Sequence, residues 1–183
     1  YLVIDDETNE AVIIDPGDDA SYITDHIQAA GANPVAILAT HGHFDHIMAA
    51  AQLQLIYTIP FCMSGLDEFL LKRMSETAVH FLGHPVVDPP PILNKKLQEG
   101  DEIPFGTSNF IVHSVAGHTP GSLVFYSQKN AVAFVGDVLF EGGSVGRTDF
   151  SYSDSDLLKN QFVLFYRFQR KQCYILVMED LQL

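Results

Sequence analysis

Apolar and polar positions alternate between two rhythms along this chain, and the change of rhythm marks its elements. Residues 2–5 and 11–14 are β-branched-rich runs split by the polar stretch 6–10, which predicts an antiparallel hairpin. Asp15-Pro16-Gly17-Asp18 ends the second run. Tyr22, Ile23, His26, Ile27 and Ala30 then recur at helical spacing, with Gly31 placed to close the turn, so residues 19–30 read as an amphipathic helix. Pro34 introduces Val35-Ala36-Ile37-Leu38-Ala39, a short apolar run suited to a strand buried on both faces. Ile47, Met48, Ala51, Leu53 and Leu55 give a helix, and residues 57–61 a strand. Ser64 is placed to cap a helix that carries Leu66, Phe69, Leu70, Met74 and Val79 on one face. Proline and glycine make residues 83–91 irregular. Strands follow at 101–105, 110–116, 122–127 and 131–135. Two β-rich halves with helices between them predict sheet packed on sheet with helices outside.

Composition narrows the class. A chain of 183 residues with 47% hydrophobic content forms one domain, drawn here over residues 1–160. Its formal charge of −13, against ten Lys and Arg, argues against nucleic acid or an anionic membrane as a partner and favours small-molecule chemistry. Cys62 and Cys173 make no disulfide framework, and no secretory signal or bilayer-spanning run is present. The cytoplasm is the expected compartment. The first residue is Tyr1 and a strand follows at once, so an earlier partner strand or an organelle-targeting peptide is expected upstream.

The chemistry is concentrated after the strand at 35–39. Thr40-His41-Gly42-His43-Phe44-Asp45-His46 places three histidines and a carboxylate within six positions, a set that binds zinc, iron or manganese. His118 stands in Ala116-Gly117-His118-Thr119-Pro120-Gly121-Ser122, whose small residues let the backbone pass close to a metal. Asp137 follows an apolar run, where a carboxylate is costly unless paired or ligated. His26, His80 and His84 read as structural or merely exposed.

These segments, THGHFDH at 40–46, AGHTPGS at 116–122, and GDVLF with GSVGRTDF across 136–150, resemble the metallo-β-lactamase-fold hydrolases. The nearest likeness is to the short type II glyoxalases, the hydroxyacylglutathione hydrolases. IDPGD at 14–18 and EGDEIPFG at 99–106 fit the family's order. The resemblance implies an α/β fold, a four-layer αβ/βα sandwich, with two divalent metal ions, zinc foremost and iron or manganese as alternatives. It implies that His41, His43 and His118 hold the first metal, Asp45 and His46 the second, and Asp137 both. The implied activity is hydrolysis of an acidic thioester such as S-D-lactoylglutathione by a hydroxide held at the metals, with Asp45 handling its proton. Arg147 is the candidate for an acidic group of the substrate.

One family feature is missing. The resemblance implies a further histidine in a C-terminal PGHG turn, whereas residues 161–183 contain no histidine, glycine or proline. Back-translated and read from the third base of each codon, this tail permits Thr-Val-Leu-Tyr-Pro-Gly-His-Gly-Arg-Pro within its second half. Residues 161–183 are therefore read as an aberrant tail produced by a single-base frameshift near Asn160, with apolar residues that follow no strand or helix pattern. Two other readings stay open. The scaffold also suits an iron-dependent persulfide dioxygenase using His41, His118 and Asp137, and the altered tail allows an impaired, non-catalytic product. Fold alone does not choose among them.

Overall fold

A computed structural model of the chain describes residues 1–84, 88–161 and 174–176. The hairpin forms as expected: β1 (Leu2–Ile4) pairs antiparallel with β2 (Glu10–Ile14). Helix α1 (Ala20–Ala29) starts at Asp19, whose side chain accepts from the Tyr22 amide. β3 (Asn33–Leu38) lies parallel to β2 and delivers the chain to the histidine loop. Past that loop come α2 (Phe44–Ile47), α3 (Ala50–Tyr57) and β4 (Phe61–Ser64). The strand expected at 57–61 is thus displaced. Tyr57 completes α3, Thr58 leaves it in the left-handed conformation, and only at Phe61 does the chain extend.

Ser64 does cap the next turn, accepting from the Leu66 amide. The single helix expected beyond it is two, α4 (Glu68–Lys72) and α5 (Met74–Leu82), parted at Arg73. Leu70 and Met74 are buried as expected and Leu71 and Ala78 join them in the core, whereas Leu55, Leu66 and Val79, also expected on the apolar faces, are exposed. The expected irregular segment is without helix or strand where described, at 83–84 and 88–91; residues 85–87 lie outside the described residues. β5 (Leu93–Leu97) was not legible, because Asn94, Lys95 and Lys96 break the apolar pattern on an exposed edge strand.

The second sheet is built from β6 (Glu102–Phe105), β7 (Ser108–Ser114), β8 (Leu123–Ser127) and β9 (Val132–Phe134), successively antiparallel. β10 (Tyr174–Leu176) closes its far edge parallel to β9. Three tail residues therefore do pair as a strand, which backbone hydrogen bonds allow without any special side-chain pattern. The rest of the tail beyond residue 161 lies outside the described residues. Among the described residues each sheet is five-stranded and mixed, in the orders β1-β2-β3-β4-β5 and β10-β9-β8-β7-β6.

Strand period two sorts the core into layers. Val12, Ile14, Ala36, Leu38 and Cys62 face Phe105, Phe110, Val112, Leu123, Phe125 and Phe134 of the other sheet. The alternate residues Ile13, Ile37, Phe61 and Met63 pack on the helices with Ile27, Ile47 and Leu53. On the outer face of the second sheet, Val124, Tyr126 and Ala133 meet Leu158 of helical residues 155–161. The result is the four-layer αβ/βα sandwich that the resemblance implied. Among the described residues, no helix is long and apolar enough to cross a membrane.

Candidate metal centre

The site lies where β2, β3 and β9 end. β3 is buried almost throughout, so its polar continuation Thr40-His41 enters the interior, and both residues are about 2% exposed or less. His118 arrives from the turn between β7 and β8, which the bond from the Leu123 amide to the Thr40 carbonyl (2.7 Å) ties to the histidine loop. Asp137 follows Gly136, whose φ of +51° favours glycine and whose missing Cβ makes room for the Thr40 side chain.

Ligand atoms of His41, His43, His118 and Asp137 converge, all within 4.8 Å of one another. His43 Nδ1 lies 2.9 Å from His41 Nε2 and 3.1 Å from His118 Nε2, and the Asp137 Oδ2 is 3.5 Å from His118 Nε2. His46 stands on the other side of Asp137, with Nε2 3.1 Å from Oδ1. The Asp45 carboxylate is 4.0 Å from that same nitrogen and half exposed. All six metal-ligand candidates are thus gathered at one place, four in a tight group and two beside it. Arg147 is near but engaged: its guanidinium donates to both oxygens of Asp149 (2.9 and 2.8 Å) and lies 4.6 Å from the Phe150 ring centroid.

Each converging imidazole has its remote nitrogen occupied. The Thr40 hydroxyl donates to Asp15 (2.7 Å), so its oxygen accepts from His41 Nδ1–H at 3.1 Å. His118 Nδ1–H donates to the Arg147 carbonyl (2.8 Å), and His43 Nε2 meets the Tyr152 hydroxyl (2.9 Å). The tautomers of His41 and His118 are therefore set, and both present bare Nε2 lone pairs to His43 Nδ1 and to a carboxylate. A proton on His43 Nδ1 can serve only one of these two lone pairs well, whereas a cation among them would serve all, and ligating histidines are held in this way through their second nitrogen. The donor set fits a metal ion.

Electrostatics agree. Burial, reinforced by the neighbouring imidazoles, pushes His41 well below the usual histidine range and His43 down to about 3, and burial lowers His118. These three remain neutral and need release no proton to bind a cation at pH 7. His46 goes the other way. Burial would depress it, but Asp15 and Asp137 on its two sides outweigh that and raise it. Its Nδ1 is 3.1 Å from the Asp15 carboxylate at an angle unsuited to a hydrogen bond. Burial likewise would raise Asp137, but His46 and His118 hold it below the usual carboxylate range.

A profile of the family described as Metallo-beta-lactamase superfamily matches residues 1–167. The chain belongs to the metallo-beta-lactamase superfamily. It is 40% identical over 161 residues to hydroxyacylglutathione hydrolase GloC of Haemophilus influenzae, covering 86% of this chain and 73% of that protein. Among solved structures, BLEG-1 B3 metallo-beta-lactamase superposes with a TM-score of 0.80 at 35% identity, over 89% of this chain and 77% of that one. TTHA1623 in a di-iron-bound form gives the same TM-score and identity over 98% and 84%. Within this superfamily scaffold, several site residues had escaped the sequence reading. Asp15 is 8% exposed and supports His41 through Thr40 while touching His46; the signal was available, since it follows a buried run just as Asp137 does. Tyr152 and the Arg147 carbonyl left no signal, because their roles depend on how the 141–153 segment folds back.

Proposed function

We propose that this chain is a metal-dependent thioesterase of the hydroxyacylglutathione hydrolase type, acting on S-D-lactoylglutathione or a closely related acidic thioester. The observation that carries the reading is the converging group of His41, His43, His118 and Asp137, found in a chain 40% identical to a hydroxyacylglutathione hydrolase. His41, His43 and His118 would hold one divalent cation, Asp45 and His46 a second, with Asp137 shared between them. Zinc is the expected metal, with iron or manganese as alternatives. Such cations supply Lewis acidity, lowering the pKa of water toward neutrality and polarising a carbonyl.

The rest of the work falls to this chain's own side chains. Thr40, Tyr152 and the Arg147 carbonyl keep three imidazoles turned inward, so the site is built before substrate arrives. Asp45, half exposed at the rim, is placed to accept a proton at its carboxylate from an attacking water. A thiolate leaves with little help from an acid. Arg147 offers a positive charge to the substrate, tempered by its pairing with Asp149. Membership of the converging group by His43, in addition to His41, His118 and Asp137, favours this reading over a dioxygenase site of two histidines and one carboxylate.

Residues 161–183 bear on the second cation. We propose that a frameshift near Asn160 replaced a segment whose histidine would complete that half of the site. The decisive experiment measures metal content and S-D-lactoylglutathione hydrolysis by a chain carrying the alternative frame. Two equivalents of metal and turnover are expected. A metal-free protein would overturn the reading.

A further inference from the structure

The two loops that bring the imidazoles together belong to different sheets, and a single buried side chain grips both. Asp67 ends the short turn Gly65–Asp67 before α4 and has no exposure. Its Oδ2 accepts from the Gly42 amide (3.0 Å) and from the Thr119 hydroxyl (2.7 Å), and its Oδ1 accepts from the Gly121 amide (2.7 Å). Gly42 lies between His41 and His43, and Thr119 follows His118. The Thr119 hydroxyl also meets Ser122 Oγ at 2.8 Å, which extends the network to the start of β8. Contact is close enough that a Cβ on Gly121 would lie 2.6 Å from the Asp67 Cγ.

A buried carboxylate satisfied only by neutral donors is stable while all of them are present and costly once any is withdrawn. Here the donors come from both ligand loops, so the carboxylate penalises any separation of one loop from the other. None of these three hydrogen bonds involves an imidazole nitrogen.

We propose that Asp67 is a positioning residue that fixes the distance between the His41-Gly42-His43 turn and His118, and so sets the metal affinity of that half of the site. The proposal rests on the reading that this group binds metal. Asp5 supplies the matched control. It is 4% exposed, accepts from Thr8, Thr107 and Ser108, and likewise joins the two sheets, but at the opposite end of β2 from the histidines.

The test titrates Zn²⁺ against a chromophoric chelator in the full chain and in Asp67→Ala, Asp67→Asn, Thr119→Val and Asp5→Asn, each well below its melting temperature. Amide exchange at Gly42 and Gly121 is followed in the metal-free proteins. Asp67→Ala is expected to lose about 10- to 100-fold in affinity, the range for outer-shell changes. Asp67→Asn, the milder variant should alanine fail to fold, is expected to lose less, and Thr119→Val the least. Exchange at both glycine amides should quicken in both Asp67 variants. Asp5→Asn should melt lower and bind zinc within about two-fold of the parent, since it touches no ligand loop. Affinity unchanged in Asp67→Ala, or lost equally in Asp5→Asn, would overturn the proposal. A parent chain that binds no zinc would sink the metal reading instead, and unchanged glycine exchange in the Asp67 variants would then sink the positioning role by itself.

Discussion

The two halves of the site are built to different standards. His41, His43 and His118 each have the remote nitrogen bonded, to Thr40, Tyr152 and the Arg147 carbonyl, and the three converge with Asp137. The other half has His46 between Asp15 and Asp137 and a half-exposed Asp45. The difference follows from where the residues come from. With Asp137 common to both, two loops joined to each other across the sheets supply the imidazoles of the first half, whereas the second draws on one loop and, on the proposed reading, on a segment that the present tail replaces. A metal site assembled from several elements is only as complete as its last contributor.

The sharpest way to break this comparison is to remove a proposed ligand from the more complete half. His43→Ala or Asp137→Ala should leave less than about 1% of the rate of the chain carrying the alternative frame, as loss of a ligand exceeds loss of its support. His26→Ala, His80→Ala and His84→Ala should stay within about three-fold, surface changes being near neutral. Kinetics that fail to separate the two sets would dismiss the ligand assignment. Next comes the tail. The chain as written is expected to bind one equivalent of metal, to be less soluble, and to turn over at least about 100-fold more slowly than the alternative-frame chain. Side-by-side metal analysis and rates decide it, and equal performance would end the frameshift argument. Asp15→Asn should cost about 10-fold in metal affinity, because its carboxylate reaches His41 through Thr40 and lies against His46. Zinc titration showing no change would remove Asp15 from the site's support.

Legibility in the sequence tracked locality. The hairpin, α1, β3 and strands β6 to β9 of the second sheet follow from period and turn residues, whereas β10 does not, and His41, His43, Asp45 and His46 sit within one loop. His118 and Asp137 were readable because each ends a run in a costly or cramped setting. Asp67 was not, since Ser64-Gly65-Leu66-Asp67 looks like an ordinary cap and its three donors come from loops 25 to 54 residues away. β5 failed for another reason: its edge position tolerates Asn94, Lys95 and Lys96, so packing never imposed alternation.

The smallest expected effect lies at the far end of β2 and concerns stability alone. Burial would raise the Asp5 carboxyl, but the hydroxyls of Ser108, Thr107 and Thr8 and the Thr8 amide outweigh it and hold the group well below the usual carboxylate range. A depressed folded pKa means that the ionised form is favoured by folding. Its contribution is complete above the unfolded value of 3.8 and is lost as pH falls from there through the depressed folded one. The difference in unfolding free energy between the parent and Asp5→Asn, taken from denaturant titrations, should therefore be level from pH 7 to pH 5 and shrink below about pH 4. Groups of the His/Asp cluster titrate in both proteins and cancel in the difference. A difference that held constant down to pH 3 would mean that Asp5 is not stabilised as a carboxylate, and that its hydrogen bonds to the β6–β7 turn serve packing only.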